Sequence, residues 1–352
     1  MLDTEGSPEL VVASPLPEIA GMTVARRDEP AALLPLPVLE SEATAQLNAL
    51  FGQAQQFATR ARADNTLRAY RSDWRDFEAW CRCRNFSACP AAQETVVLYL
   101  TALSGTHKVS TLTRRLSAIS QAHQTAGLAS PTEESSVRLV MAGIRRSLGT
   151  AATAKRPVLV ADLQTMVNAI PGNPIGLRDR AMLLIGFSGA FRRSELVALD
   201  CEDLTETGDG LTIVIRRSKT DQEGEGRKVA IPRGREEPTC PLRALAAWRA
   251  AAGIESGPVF LRVNRHGQIL RQRLSAEAVA IVVKRWAAVL GFDEKEFAGH
   301  SLRAGLATSA AIAGKSERSI MNQTGHRSSA TLRRYIRDGN LFRDNAAEGL
   351  GL

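Results

Sequence analysis

From Asp64 onward, Leu67, Tyr70, Trp74, Phe77 and Cys81 recur at steps of 3, 4, 3 and 4. On a helix of about 3.6 residues per turn these positions form one apolar stripe, which has to be buried against other helices. The pattern comes back twice. A second helix is predicted from Ser110 to about Ala126, with Leu112, Leu116 and Ile119 inward and Gly127 as its stop. A third is predicted over 133–148, with Val137, Val140, Ile144 and Leu148 inward. Arginines fall off each stripe: Arg68, Arg71, Arg75 and Arg82 on the first, Arg114 and Arg115 on the second, Arg138, Arg145 and Arg146 on the third. A solvated face is the ordinary use of such residues. Its repetition on three successive helices favours a surface that meets phosphate.

The rest of the chain arranges itself around this helical block. Residues 1–44 hold eight acids against two bases, six prolines and no aromatic residue, and read as a disordered acidic tail. With a whole-chain charge of +8 and a tail of −6, the remainder carries +14, which suits a polyanionic partner. The tail does not resemble a secretory signal and no apolar run is long enough to span a membrane, so a cytoplasmic location is expected. Residues 45–148 are taken as an all-α domain, 149–157 (GTAATAKRP) as a linker, and 158–352 as a mostly helical domain with a small antiparallel sheet. In that last part, helices are predicted near 161–170, 177–189, 192–199, 241–252, 275–290, 300–313, 316–324 and 328–336. One hairpin is predicted, from Leu211–Arg216 and Arg227–Ile231. The five cysteines form no even framework and are expected as thiols. Cys81, Cys83 and Cys89 lack the spacing of a zinc site.

Six polar residues fall in a fixed order with Tyr335. Arg192 and Glu195 lie in GAFRRSELVALDCEDL, three residues apart at a helix start. Lys219 follows in RRSKT at the hairpin, His300 and Arg303 in GHSLRAGLAT, and His326 and Tyr335 in TGHRSSATLRRYIR. Each piece has a bland use: a charge pair at a helix start, a solvated loop lysine, a surface His-Arg pair, a packing tyrosine. Their joint order is what chance does not supply. No GxxxxGK[ST] nucleotide loop is present. A phenol has a pKa of about 10, so its use as a nucleophile requires a base and a strongly positive surrounding. Forked guanidiniums match the charge that builds on phosphate oxygens.

The chain from about residue 45 to 352 resembles the tyrosine recombinase (phage integrase) family, and is most similar to its Cre-like and Xer-like members. NTLRAYRSDWRDFEAWC also looks like that family's helical core-binding domain. The resemblance implies that Tyr335 attacks a scissile phosphate to form a 3′-phosphotyrosine. It implies that Arg192, Arg303 and His326 hold the phosphate oxygens, that Lys219 is the general acid, that His300 contacts the phosphate and acts as base, and that Glu195 orients its neighbours. It implies double-stranded DNA as partner, gripped by a C-shaped clamp and recombined through a Holliday junction by a homotetramer. The tail after Tyr335, with Leu341, Phe342 and Leu350, would pack on a neighbouring subunit. Neither cofactor nor metal is required, because the covalent ester conserves the bond energy. The chain would work on a mobile genetic element in the nucleoid. There are two departures from the family pattern. The family's glycine stands two residues before the first arginine, whereas Gly189 is three before Arg192, which leaves Arg193 as an alternative. Lys228 is a second lysine candidate. Two rival readings are relaxation of the type IB topoisomerase kind, which shares the same set, and a regulator that binds without cutting, which would show a broken set.

Overall fold

The structure, a computed structural model, describes residues 46, 47, 50, 52, 53, 64–150, 154–216, 226–326 and 328–339. The acidic stretch 1–44, part of the 149–157 linker, Lys219, and the stretch with Leu341, Phe342 and Leu350 lie outside the described residues. The chain divides between residues 151 and 152 into two units.

Among the described residues, the first unit carries α1 (Asp64–Arg82), α2 (Gln93–Ser104), α3 (Val109–Thr125) and α4 (Ser135–Leu148). Phe77, Cys81, Val96, Tyr99, Leu100, Leu112, Ile119, Val137 and Met141 make its core. The stripe of α1 faces that core, and Arg68, Arg71, Arg75 and Arg82 are exposed. Gly127 has a φ of 72° just past α3, the left-handed turn expected of a helix stop. Helix α2 is missing from the periodicity reading for a physical reason. Its VVLYL run is apolar at consecutive positions, so it has almost no amphipathic period to detect. Arg115 corrects an expectation. It is buried rather than off the stripe, and its guanidinium bonds Asp76 and the Tyr99 hydroxyl. Beside it Arg114 clamps the buried Asp73 at 2.7 and 3.0 Å. Two bases read as phosphate-facing are thus matched by carboxylates within the unit. Leu148 was expected inward but is 49% exposed: Met141 and Ile144 are the last residues of α4 on the core, and Leu148 lies one turn beyond them.

The second unit is built on α6 (Pro174–Ser188), which follows α5 (Val160–Ala169). Most positions of α6 from Gly176 to Phe187 are buried, so it has no polar face and runs through the core. Pro174 at its first turn and Asn173, whose side chain accepts from Gly176 N at 2.8 Å, start it three residues earlier than expected. It packs on α8 (Pro241–Ala252) and α10 (Ser301–Ile312). Gly305 brings α10 against the chain at Val158: a Cβ there would lie 1.8 Å from the Val158 carbonyl oxygen. Between α7 (Arg193–Ala198) and α8 lies an antiparallel sheet in the order β1 (Leu204–Glu206), β2 (Gly210–Ile215), β3 (Arg227–Pro232). Ile215 pairs with Arg227 at the end of the expected hairpin. Strand β1 and a second hairpin, β4 (Leu261–Val263) with β5 (Ile269–Arg273), were not expected. Strand β1 has only three residues, and β5 is half-exposed to exposed throughout, so neither shows the alternation that marks a half-buried strand. Helices α9 (Ala276–Val289), α11 (Glu317–Thr324) and α12 (Ser329–Gly339) complete the unit. Ala307, Ala311, Ile320 and Leu332 form a separate small core that joins α10, α11 and α12.

Candidate active site

The site is made where four chain turns meet. The first follows α6. Gly189 and Ala190 reverse the chain, and Ala190 takes a φ of 49° although it is not glycine. Ala190 is the residue two before Arg192, the place where the family pattern puts its glycine, so the left-handed turn is kept with a methyl group on it. Arg192 then caps α7, its N–H donating to Glu195 Oε2 at 3.0 Å and its Nη1 to Glu195 Oε1 at 2.5 Å. Arg193 is exposed and lies against Gly299, 3.3 Å from where a Cβ would sit. Its side chain contributes none of the ion pairs that Arg192 makes.

The second turn leads into α10. His300 precedes the helix and Arg303 lies in its first turn. Arg303 is 1% exposed. Its Nη1 donates to the Ala190 carbonyl at 2.7 Å, while Nε and Nη2 are buried and find no acceptor among the described residues. Burial, and next the neighbouring Arg192 charge, push this guanidinium down to about 10. A buried cation with two unmet donors is costly until an anion meets them.

The third turn ends α11. The Thr324 hydroxyl donates to the Ile320 carbonyl at 2.7 Å, so the proton shared with His326 Nδ1, 2.7 Å away, sits on the imidazole. That leaves Nε2 of the neutral ring as an acceptor. Burial first, then Arg303 and Arg192, push His326 down to about 4. The fourth element, α12, carries Tyr335. Its hydroxyl is 3.0 Å from His300 Nε2, and the two histidine rings flank it with centroids at 6.5 and 6.4 Å. His300 keeps an exposed edge, yet desolvation of the ring and the charges of Arg303, Arg192 and Arg334 hold it below the ordinary imidazole range. It is therefore neutral at pH 7 and able to accept the phenol proton.

The structure thus brings Arg192, Glu195, His300, Arg303, His326 and Tyr335 into one cluster. Lys219 lies outside the described residues, and Lys228 is exposed on the opposite face of β3 from Val229 and Ile231. Two contributors escaped the sequence reading. Arg227 donates to Glu195 Oε2 at 3.3 Å and to the Gln323 carbonyl at 3.1 Å. Gln323 Nε2 donates to the carbonyls of Ser188 at 2.6 Å and Ala230 at 3.1 Å. The signal for Arg227 was present: it shares a strand face with the buried Val229 and Ile231, an odd place for a charge without a partner.

Comparison with known proteins gives the chain its family. Residues 158–340 match the phage integrase family, and residues 55–128 match the phage integrase N-terminal SAM-like domain. The chain is 42% identical to the integrase/recombinase xerD homolog of Selenomonas ruminantium over 298 residues, covering 84% of this chain and 87% of that protein. It is 25% identical to the recombinase cre of Escherichia phage P1 over 325 residues, covering 87% and 92%. Among solved structures it shares its fold with a lambda integrase (75–356) dimer bound to a COC′ core site, at a TM-score of 0.54 and 19% identity over 84% of this chain and 95% of that one. XerH recombinase bound to palindromic difH, in a post-cleavage complex, gives 0.52 and 17% over 71% and 70%. The chain belongs to the phage integrase family. Within that family it is a tyrosine site-specific recombinase, an enzyme that breaks and rejoins DNA strands.

Proposed function

We propose that Tyr335 is the nucleophile of strand cleavage on double-stranded DNA, and that the surrounding residues act on one scissile phosphate. His300 Nε2 takes the phenol proton as Tyr335 Oη forms a bond to phosphorus. The bond from phosphorus to the 5′-oxygen breaks, leaving a 3′-phosphotyrosine. Lys219 gives its proton to the departing 5′-oxygen, a role that rests on the RRSKT resemblance. Arg303 and Arg192 meet the charge on the non-bridging oxygens, and Glu195 fixes the Arg192 fork. His326 takes a proton from solvent as the phosphate arrives, which turns Nε2 into a donor. The reverse attack by a 5′-hydroxyl from the partner strand rejoins DNA without a cofactor. Residues 45–148 would grip the core site while 158–352 cut it. Four subunits would exchange strands through a Holliday junction, with the stretch after Tyr335 docking on a neighbour, in the nucleoid of the cytoplasm and on a mobile element.

The observation that carries this reading is the 3.0 Å approach of His300 Nε2 to Tyr335 Oη beside the buried Arg303. A covalent trap tests it. Wild type and Tyr335→Phe are expressed in cells, lysed in denaturing detergent, and the attached DNA is sequenced. DNA held by the wild type alone, with common ends, is expected and identifies the recombination site. Equal attachment in both sinks the assignment.

A further inference from the structure

Arg227 is placed where no ordinary surface arginine would be. It sits on the inward face of β3, at the end of the hairpin where it pairs with Ile215. Its two terminal nitrogens bind groups that belong to different turns of the site: Nη2 the Glu195 carboxylate, Nη1 the Gln323 carbonyl. Glu195 holds Arg192, and Gln323 is three residues before His326. The space for this bridge is kept by Gly325. Its φ is 65°, and a Cβ there would lie 2.8 Å from Arg227 Nε. Gln323 adds a second tie, from its side chain to Ser188 at the end of α6 and back to β3 at Ala230.

Resting on the reading of Tyr335 given above, we infer that Arg227 is a positioning residue: its guanidinium locks the Glu195–Arg192 pair and the His326 turn into one rigid phosphate cradle. The planar fork explains why the residue is arginine. Two acceptors on different elements are met by two nitrogens held at a fixed angle. A lysine ammonium has the charge but not the span. Arg227 acts through Arg192 and His326, so its loss changes how well the charge on the non-bridging oxygens is met. It leaves the contacts that hold duplex elsewhere intact.

The test uses the full chain and the duplex recovered from the covalent trap. One version carries the natural scissile phosphate. The other carries a methylphosphonate there, in which one charged oxygen is replaced by a neutral methyl group. Wild type, Arg227→Met, Arg227→Lys, Gly325→Ala and Tyr335→Phe are compared for duplex affinity and single-turnover strand scission. Arg227→Met is expected to bind within ~3-fold of wild type and to cut the phosphate duplex ~100-fold more slowly, the scale of one lost electrostatic contact in a preorganised site. On methylphosphonate the loss shrinks to ~10-fold or less, because less charge remains to be met. Arg227→Lys falls between, and Gly325→Ala, which crowds the guanidinium, shows the same substrate pattern. Wild-type scission by Arg227→Met overturns the inference. So do equal losses on both duplexes, which would mark a purely structural role, and so does a loss of affinity that accounts for the slower cutting. Arg227→Lys and Gly325→Ala apply the same criterion if Arg227→Met does not fold. Scission by Tyr335→Phe at the wild-type rate is a separate result: it removes the reading of Tyr335, and the inference falls with it.

Discussion

Among the described residues, Glu195 is the one carboxylate set among three guanidiniums, and replacing it with glutamine isolates what it does. Its side chain is 1% exposed and accepts from Arg192 N, Arg192 Nη1 and Arg227 Nη2. With Glu195 the group of Arg192, Arg227, Arg303 and Glu195 carries 3 − 1 = +2, and with glutamine it carries +3. Glutamine keeps the shape, but one end becomes an NH2 that must face a guanidinium donor. Removing one partner of a buried charge pair costs about 3–5 kcal/mol. For a unit of about 200 residues each kcal/mol is about 2–4 °C, so Glu195→Gln should melt on the order of 6–20 °C below wild type. Scanning calorimetry of the full chain at pH 7 reads this shift. Sulfate added to both proteins should narrow the gap, because an anion in the cradle replaces part of the missing charge. A transition within ~2 °C of wild type, or a gap that sulfate leaves unchanged, would refute the claim that Glu195 balances the cluster.

Arg303→Met should stabilise the unit by about 1–2 kcal/mol while abolishing scission, since it removes a buried cation with two unmet donors; a lower melting temperature counts against this. His326 is pushed down to about 4, so the folded protein refuses a proton that the unfolded chain accepts below its ordinary pKa of 6.5. The effect is nil above pH 6.5 and grows on acidification to about 3 kcal/mol of lost stability near pH 4. His326→Phe should therefore flatten the fall of melting temperature between those pH values, and an unchanged slope is the contrary result. Because His300 is held below the ordinary imidazole range, scission at sub-saturating duplex should lose its base only below pH 6.5; an acid limb centred above that value contradicts its role. In the first unit, Arg115→Met should cost about 1.5–3 kcal/mol, the range for hydrogen bonds to a charged group, and Arg138→Met under about 0.5 kcal/mol, measured by denaturant unfolding.

Much of this was legible from periodicity and order. The stripe from Leu67 to Cys81 has a strong 3.6-residue signal because one face alone is buried, and the hairpin strands 211–216 and 227–231 alternate for the same reason. Helix α2 and strand β5 were not legible because α2 carries apolar residues on its exposed face too, Leu98 among them, and β5 is barely buried, so neither shows a period. Charged residues showed a different gap. Arg115 was read as an off-stripe base of a phosphate-meeting surface and Arg227 only as a strand residue, because a sequence displays a charge but not the distant carboxylate that neutralises it: Asp76 lies 39 residues from Arg115, and Glu195 lies 32 from Arg227. Ala190 shows the opposite case. A family pattern asked for glycine, and the backbone keeps the glycine conformation at φ 49° without the glycine.

The order of the site along the chain bears on when the protein becomes dangerous to DNA. Synthesis runs from Arg192 through Arg227 and Arg303 to His326, and Tyr335 is added only after all of them. Tyr335 follows His326 by only nine residues, so the proposed nucleophile and the last charge of the cradle enter the folding unit together. The links from Arg227 to Gln323 and from Arg303 to Ala190 join residues 96 and 113 positions apart, so they close late in folding as well. If Tyr335 is the nucleophile, as proposed, cutting ability waits on those long-range links and on the packing of α11 and α12 against α10.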